Sequence, residues 1–360
     1  MKTRSLLVIS VVLALMAITL GACQPAPAAA PTAAPAAEKP TEEKPAAEQK
    51  KMKVAILLPG SANDKSWNQL GYDGLMSIEK ELGAEVAYSE NVGNVDAPDA
   101  IRDYAEKGFN VIIGHSGSYE EAMVTLGPEY PDTHFVIIAG SKGGGANVTA
   151  VDTAPWQVGF AEGWLAGKLT KTNSVAFITA GEGMQVMNNF AGAWKDGVKA
   201  ANPDAKLCLV YLTDWGDVAA AREAALAVAA NGADVVEHEL NAATEGVLDV
   251  SKEKGFLTNA RQQDQIDASP NTVIAGVDYD WNQRFPAIVK KVAKGELPGG
   301  AFFFGYNTPG EGFKFFYGDK EFNPKLVDQA MLDAFQKEVV ATAKAQATYT
   351  VEQAKGGCNK

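Results

Sequence analysis

Short apolar runs alternate with amphipathic stretches along most of this chain, and that alternation restricts the folds open to it. Val54-Ala-Ile-Leu-Leu58 ends in Pro59-Gly60, after which Leu70, Leu75, Ile78 and Leu82 recur at helical spacing from Asn68 to Leu82. The cycle repeats with a strand at Val86 to Tyr88 and a helix at Ala97 to Lys107, then a strand at Val111 to Gly114 and a helix from about Tyr119. A strand at Phe135 to Gly140 follows. Continuous apolar strands between amphipathic helices require a parallel sheet covered on both faces. A second series starts after Lys171, with strands at Ser174 to Thr179, Leu207 to Leu212, Asp234 to His238 and Thr272 to Gly276. Its helices lie around Val186 to Ala201, Val218 to Asn231 and Glu245 to Lys254. The expected fold class is α/β, with two doubly wound, Rossmann-like lobes. A body running from Met52 to Lys360 is also longer than a single core usually supports.

Open α/β sheets collect ligands outside the carboxyl ends of their strands. The loops there are Asn63 to Asn68, His115 to Tyr119, Ser141 to Lys142, Asp152 to Gln157, Gly181 to Asn189, Thr213 to Asp217, Asn241 to Glu245 and Asp278 to Trp281. They concentrate aromatics, amides and acids.

Ahead of this body, Lys2 and Arg4 precede an apolar run from Leu6 to Leu20, and small residues lead to Cys23. This is the layout of a cleaved secretory signal, and Leu20-Gly-Ala-Cys23 resembles a bacterial lipobox in which Cys23 carries lipid. The run is short of the roughly 20 residues a membrane span needs. From Gln24 to about Lys51 the chain is almost entirely Ala, Pro, Glu, Lys and Thr, too polar to offset its ordering entropy, and reads as an extended spacer. The expected location is therefore the extracytoplasmic face of the cell membrane, lipid-anchored at Cys23. A net charge of −12 without a basic stripe gives no support to nucleic-acid binding. Cys208 and Cys358 remain; a disulfide clamping the C-terminal tail and a pair of free thiols both fit an exported chain.

Catalytic patterns are missing. The three histidines, His115, His134 and His238, have no metal-ligand spacing, and His115, the one in a strand-end loop, has no paired acid or nucleophile. Gly163-Trp-Leu-Ala-Gly167-Lys168 lacks the gap and the hydroxyl residue of a P-loop and falls in a helical pattern, which favours core packing. Gly114-His-Ser116-Gly-Ser118 lacks the last glycine of a nucleophile elbow, and Gly143-Gly-Gly145 is a turn. Neither enzyme chemistry nor a cofactor or metal is expected; an exported two-lobed α/β chain reads as a solute receptor closing on its ligand.

Several segments resemble the basic membrane protein family of lipoproteins. Gly60-Ser-Ala-Asn-Asp64-Lys-Ser-Trp67-Asn68 is similar to that family's Gly…Asp-Lys-Ser-Phe-Asn, and Ala161-Glu-Gly163-Trp-Leu-Ala-Gly167 to its Leu-Ala-Gly-Tyr-Leu-Ala-Gly helix. Phe190-Ala-Gly192…Gly197-Val-Lys-Ala200…Asn202-Pro203 and Gly232-Ala-Asp-Val-Val236 resemble its second-lobe helix and strand. The resemblance implies the type I periplasmic-binding-protein fold, with lobe 1 from residues 53–167 plus about 278–305 and lobe 2 from 168–277 plus about 306–355, after a signal peptide (1–22) and a lipidated linker (23–52). It also implies an ABC permease as partner and a purine as ligand; a tethered receptor that closes around its ligand works naturally as a monomer.

On that resemblance Trp67 and Trp215 sandwich the base, while Asn68, Asn63, Asp64, Glu121, Asn241 and Thr244 read its polar edge; Asp64, Glu121 and Thr244 are equally suited to capping helices. Two departures concern ribose. Gln262 stands where family members carry an aspartate, and Asp278 where they carry a lysine. A vicinal diol is gripped best by a carboxylate and a donor together, so a free nucleobase such as adenine becomes as good a candidate as a nucleoside, with Trp281 available to fill the sugar space. A sensor uncoupled from transport, or a receptor for another heterocycle or a sugar, fits the same architecture.

Overall fold

A computed structural model describes residues 51–306, 313–344 and 346–358; the expected signal peptide, Cys23 and nearly all of the linker lie outside them. The first part of the body runs β1 (Lys53–Leu57), α1 (Trp67–Leu82), β2 (Glu85–Ser89), α2 (Ala97–Glu106), β3 (Val111–Gly114), α3 (Glu120–Leu126), β4 (His134–Ile138), β5 (Val148–Asp152) and α4 (Pro155–Leu169). There follow β6 (Ser174–Ala180), α5 (Gln185–Ala201), β7 (Lys206–Leu212), α6 (Val218–Ala230), β8 (Val235–Glu239), α7 (Thr244–Lys254), β9 (Thr258–Ala260), α8 (Gln263–Ala268) and β10 (Val273–Asp278). The chain ends in α9 (Trp281–Ala293), β11 (Gly300–Phe303), β12 (Lys314–Phe316), α10 (Gln329–Phe335) and β13 (Gly357–Cys358).

The strands make two layers. One sheet has the order β11-β5-β4-β3-β1-β2 and is parallel throughout. The other has the order β13-β7-β6-β8, parallel except for β13. It continues into β9-β10-β12 where Val236 N donates to Leu257 O at 2.8 Å. In each sheet the first strand, β1 or β6, lies between the second and third, so strand order reverses beside it. Such a switch point opens a crevice at the carboxyl end. The α/β class and the type I periplasmic fold are those expected. Strands β5, β9 and β11 to β13 were not legible as strands: β9 is three residues, Thr-Asn-Ala, and β13 two, too short to show a period.

Where α4 meets α5, the two helices approach to backbone contact. A Cβ on Gly163 would lie 2.1 Å from Trp194 O, and one on Gly197 2.1 Å from Phe160 O. Gly159 likewise faces Phe190 O at 2.2 Å. The Gly-Trp-Leu-Ala-Gly run that superficially resembles a phosphate loop thus serves packing, with Trp164 and Trp194 buried beside it. Cys208 and Cys358 are bonded, stapling β13 to the outer edge of β7. The tail is also held by Tyr211 Oη donating to Ala354 O at 3.0 Å and Lys195 Nζ to Lys355 O at 2.7 Å. No helix among the described residues is long and apolar enough to cross a membrane.

Gly163→Ala should favour the isolated helix by about 1 kcal/mol yet overpack the crossing by about 3 kcal/mol. A net loss of about 2 kcal/mol is expected from urea unfolding.

Candidate functional site

A cavity of about 460 Å³ opens at the carboxyl ends of both sheets. Its wall takes residues from the loops after β1 (Pro59 to Ser61, Asp64, Trp67, Asn68), β3 (Ser116 to Ser118) and β5 (Asp152, Thr153) on one side. On the other it takes Met184, Met187 and Phe190 after β6, Asp214 to Gly216 after β7, Glu239 to Ala242 after β8 (without Leu240), and Tyr279 after β10. This is the volume range of small-molecule sites, about 300–1,000 Å³.

Trp67 is fixed by a reciprocal clasp with His115. Its Nε1 donates to His115 O at 2.8 Å, and His115 Nε2 meets Trp67 O at 2.9 Å. The two rings stack with centroids 4.2 Å apart at 20°. Only a carbonyl faces Nε2, so that nitrogen carries the proton, and burial pulls the imidazole down to about pKa 3 and keeps it neutral. Gly71 makes room for this ring, since a Cβ there would lie 2.6 Å from His115 Cδ2. His115 therefore supports the indole from behind and does not line the cavity.

Asp64 organises the start of α1. Its carboxylate accepts from Ser66 N at 2.9 Å, Gln69 N at 3.0 Å, Asn68 N at 3.2 Å and Asn68 Nδ2 at 2.7 Å. Asn68 Oδ1 in turn accepts from Gly60 N at 3.0 Å. Both side chains line the cavity, but most of their hydrogen-bonding capacity goes into holding the loop. On the opposite side, Trp215 O accepts from Asn241 N and Ala243 N at 3.1 and 3.2 Å, and its ring lies over Gly181, where a Cβ would meet Cζ2 at 2.6 Å. Gly181 also has φ +70°, a conformation suited to glycine.

Carboxylates dominate the charge on this wall. Asp64, Asp152, Asp214 and Glu239 line it, and among the described residues no lysine, arginine or histidine does. Asp152 is 4% exposed; its Oδ1 accepts from Thr153 N at 2.7 Å and its Oδ2, itself buried, has no hydrogen-bond partner among the described residues. Burial, and secondarily Glu239, push it up to about 7 against the pull of Thr153 and Arg284. Glu239 Oε2 accepts from Tyr279 Oη at 3.2 Å and from Arg261 Nη2. Beneath it, buried Arg261 also reaches His238 O at 2.7 Å and Glu162 Oε1 at 3.4 Å, and Asn259 Nδ2 donates to the same Glu162 oxygen at 2.8 Å. Burial raises Glu162 to about 7, while Arg261 opposes the rise.

The structure thus brings Trp67, Asn68, Asp64, Trp215 and Asn241 to one cavity. Six other expected positions fall outside its wall. Asn63 and Glu121 are exposed, and Glu120, not its neighbour, accepts from the Ser141, Lys142 and Gly143 amides. Thr244 is buried, its hydroxyl donating to Leu240 O at 3.2 Å. Gln262 caps α8, and Asp278 accepts from Asp280 N at 2.7 Å and pairs with Lys314 at 3.2 Å. Trp281 is 2% exposed and packs edge-on against Trp67, centroids 6.2 Å apart, so it backs the wall and fills no sugar space. Tyr279, Phe190, Glu239 and Asp152 are wall residues that sequence reasoning did not single out. Asp152 and Tyr279 lay in strand-end loops already marked, whereas Glu239 closes a strand and Phe190 sits inside a helical pattern.

Comparison with known proteins then adds identity. The family described as ABC transporter substrate-binding protein PnrA-like (Bmp) matches residues 51–347. The chain is 31% identical to the transcriptional activator protein Med of Bacillus subtilis over 71% of its length and 80% of that protein's. It is 23% identical to a purine-binding protein of Brucella abortus, covering 69% and 70% of the two chains. An ABC transporter solute-binding protein from Aeropyrum pernix superposes with a TM-score of 0.67 at 17% identity, over 84% of each chain.

Asp152→Asn should alter the pH dependence of stability. A carboxyl raised in the folded state holds its proton while the unfolded chain releases it, so its contribution to stability is complete below about pH 4 and is lost as pH rises toward about 7. Between about pH 5 and about pH 7 the variant should lose stability less steeply than the parent, by about 1.4 kcal/mol per pH unit in denaturant titrations.

Proposed function

Because this chain belongs to the Bmp family of PnrA-like ABC transporter substrate-binding proteins, we propose that it captures a purine, either a nucleobase such as adenine or a purine nucleoside, and delivers it to the permease of an ABC importer. The observation that carries this reading is the placement of Trp67 and Trp215 on walls contributed by different sheets of one cavity. A flat heterocycle stacked on each ring gains about 1–3 kcal/mol per ring. The purine-binding relative agrees with it. In this reading residues 53–167 with about 278–305, and 168–277 with about 306–355, act as two lobes that close on the ligand. A lipid on Cys23 and the polar linker hold the monomeric receptor at the extracytoplasmic face.

A second reading, a ligand sensor uncoupled from transport, draws on the similarity to a protein named as a transcriptional activator. Deleting the gene abolishes purine uptake under the first reading and leaves uptake intact under the second.

Calorimetric titration of the full chain, freed of copurified ligand by unfolding and refolding, should show heat with adenine or with adenosine, guanosine or inosine, and none with ribose. Trp215→Ala leaves its backbone carbonyl in place and should weaken binding by about 5- to 150-fold, the equivalent of one lost stack. Silence across the panel overturns the purine assignment.

A further inference from the structure

Between Asp64 and Trp67, which line the cavity, stand Lys65 and Ser66, which do not. Ser66 occupies the N-cap of α1, where a serine hydroxyl ordinarily accepts from a helix amide, yet its side chain makes no such bond. The Asp64 carboxylate does the capping instead, accepting from Ser66 N, Asn68 N and Gln69 N. The Ser66 hydroxyl, in a residue 2% exposed, donates to Leu240 O at the end of β8 in the other sheet, at 3.1 Å. Lys65 reaches the same side twice: its carbonyl accepts from Gln265 Nε2 of α8 at 3.3 Å, and its ammonium lies 3.5 Å from Glu245 Oε1 of α7. Lys65 also has φ +54°, a region that a β-carbon disfavours, and the Asp64 bonds on either side hold the segment in that shape. The receiving groups are fixed as well. Gln265 Oε1 is taken by Arg261 N at 2.8 Å and Gln262 N at 3.1 Å, which leaves Nε2 to face Lys65, and Leu240 O keeps a second donor in Thr244 Oγ1.

Resting on the reading above of two lobes that close on a ligand, we propose that Lys65 and Ser66 form a latch with Leu240, Gln265 and Glu245 that holds the closed state, and that they position the tryptophan wall without touching the ligand. Ser66 adjoins the wall residue Trp67, and Leu240 lies between the wall residues Glu239 and Asn241; among the described residues, Ser66, Leu240 and Gln265 take no part in the wall itself. A bond from Ser66 to Leu240 therefore fixes the spacing of the two walls from behind. Opening the latch strands little. Leu240 O retains Thr244, the Ser66 hydroxyl passes to water, and the Lys65 and Glu245 side chains are already 64% and 50% exposed. An exposed ion pair contributes little, so the weight of the latch rests on the hydrogen bonds of Ser66 and Gln265. Since no ligand atom enters these contacts, they favour closed over open by the same factor whatever the ligand is.

The test is stopped-flow tryptophan fluorescence on the full chain with adenine, adenosine, guanosine and inosine, comparing the parent with Ser66→Ala and Gln265→Glu. Ser66→Ala leaves the Asp64 cap and the Thr244 bond intact. Gln265→Glu keeps an oxygen for Arg261 N and Gln262 N and removes only the donor to Lys65 O. Each variant should speed dissociation by about 2- to 12-fold, the equivalent of one hydrogen bond, with the association rate nearly unchanged. The factor should be the same for every purine that binds. Unchanged dissociation in both variants overturns the inference and leaves the purine reading standing; so does a factor that differs from one purine to the next, which marks direct contact with the ligand. If no purine in the panel binds, the purine reading fails by itself, and small-angle X-ray scattering of the ligand-free full chain decides the latch. A larger radius of gyration for the Ser66→Ala/Gln265→Glu double variant than for the parent supports it, and an indistinguishable one overturns it.

Discussion

The crossing of α4 and α5 is the contact on which the arrangement of the body rests. α4 leaves β5 of one sheet and α5 follows β6 of the other, so the distance between them sets the distance between the two layers. Side chains larger than hydrogen at Gly159, Gly163 and Gly197 would meet opposing carbonyls at 2.1–2.2 Å. Close-packed interiors give little under such strain. Trp164 and Trp194 then cover the flanks, and Trp194 Nε1 donates to the buried Glu237 at 2.6 Å. A stretch that looks like a nucleotide motif in the sequence is therefore the spacer that brings two crevices into one.

Charge crosses the same interface. Glu162 projects from α4 to Asn259 and Arg261 at the end of β9, Arg261 continues to Glu239 at the end of β8, and Tyr279 at the end of β10 closes the chain of contacts. Burying ions is costly unless their partners are complete, and removing one partner is costlier still. The charge on Arg261 is opposed by burial but held by Glu239, Tyr279 and Glu162. This network carries a carboxylate to the cavity wall and keeps its orientation. No isolated loop could hold a charge there without such support.

Strand–helix alternation exposed most of the fold to sequence reading because each cycle repeats the same burial pattern: the runs at Val54 and Val111, and the helix ending at Leu82, lie within a residue or two of the observed elements. The lining of the candidate site was legible where a motif and a loop coincided, as at Trp67, Asn68 and Trp215. It was not legible where local chemistry and position diverge. Glu121 lost its place to the solvent because α3 turns Glu120 inward to three backbone amides. Gln262 and Asp278 are occupied by a helix cap and an ion pair, and neither their type nor their spacing reveals that. Asp152 escaped notice because an aspartate after a strand looks like a cap until its burial and its unpaired oxygen are seen.

The clasp between Trp67 and His115 makes the two aromatic walls unequal. Trp67 has its indole hydrogen bond satisfied, its face covered and its edge packed by Trp281 and Tyr279. Its rotamer entropy is surrendered when the chain folds, not when a ligand arrives. Trp215 is fastened through its main-chain oxygen and by contact over Gly181. One wall behaves as an anvil and the other as the adjustable face. Substitutions in the loop around Trp215 can accordingly retune what is held while the core stays unchanged, whereas a methyl group added at Gly71, outside the cavity, would press on His115 and displace the anvil from behind.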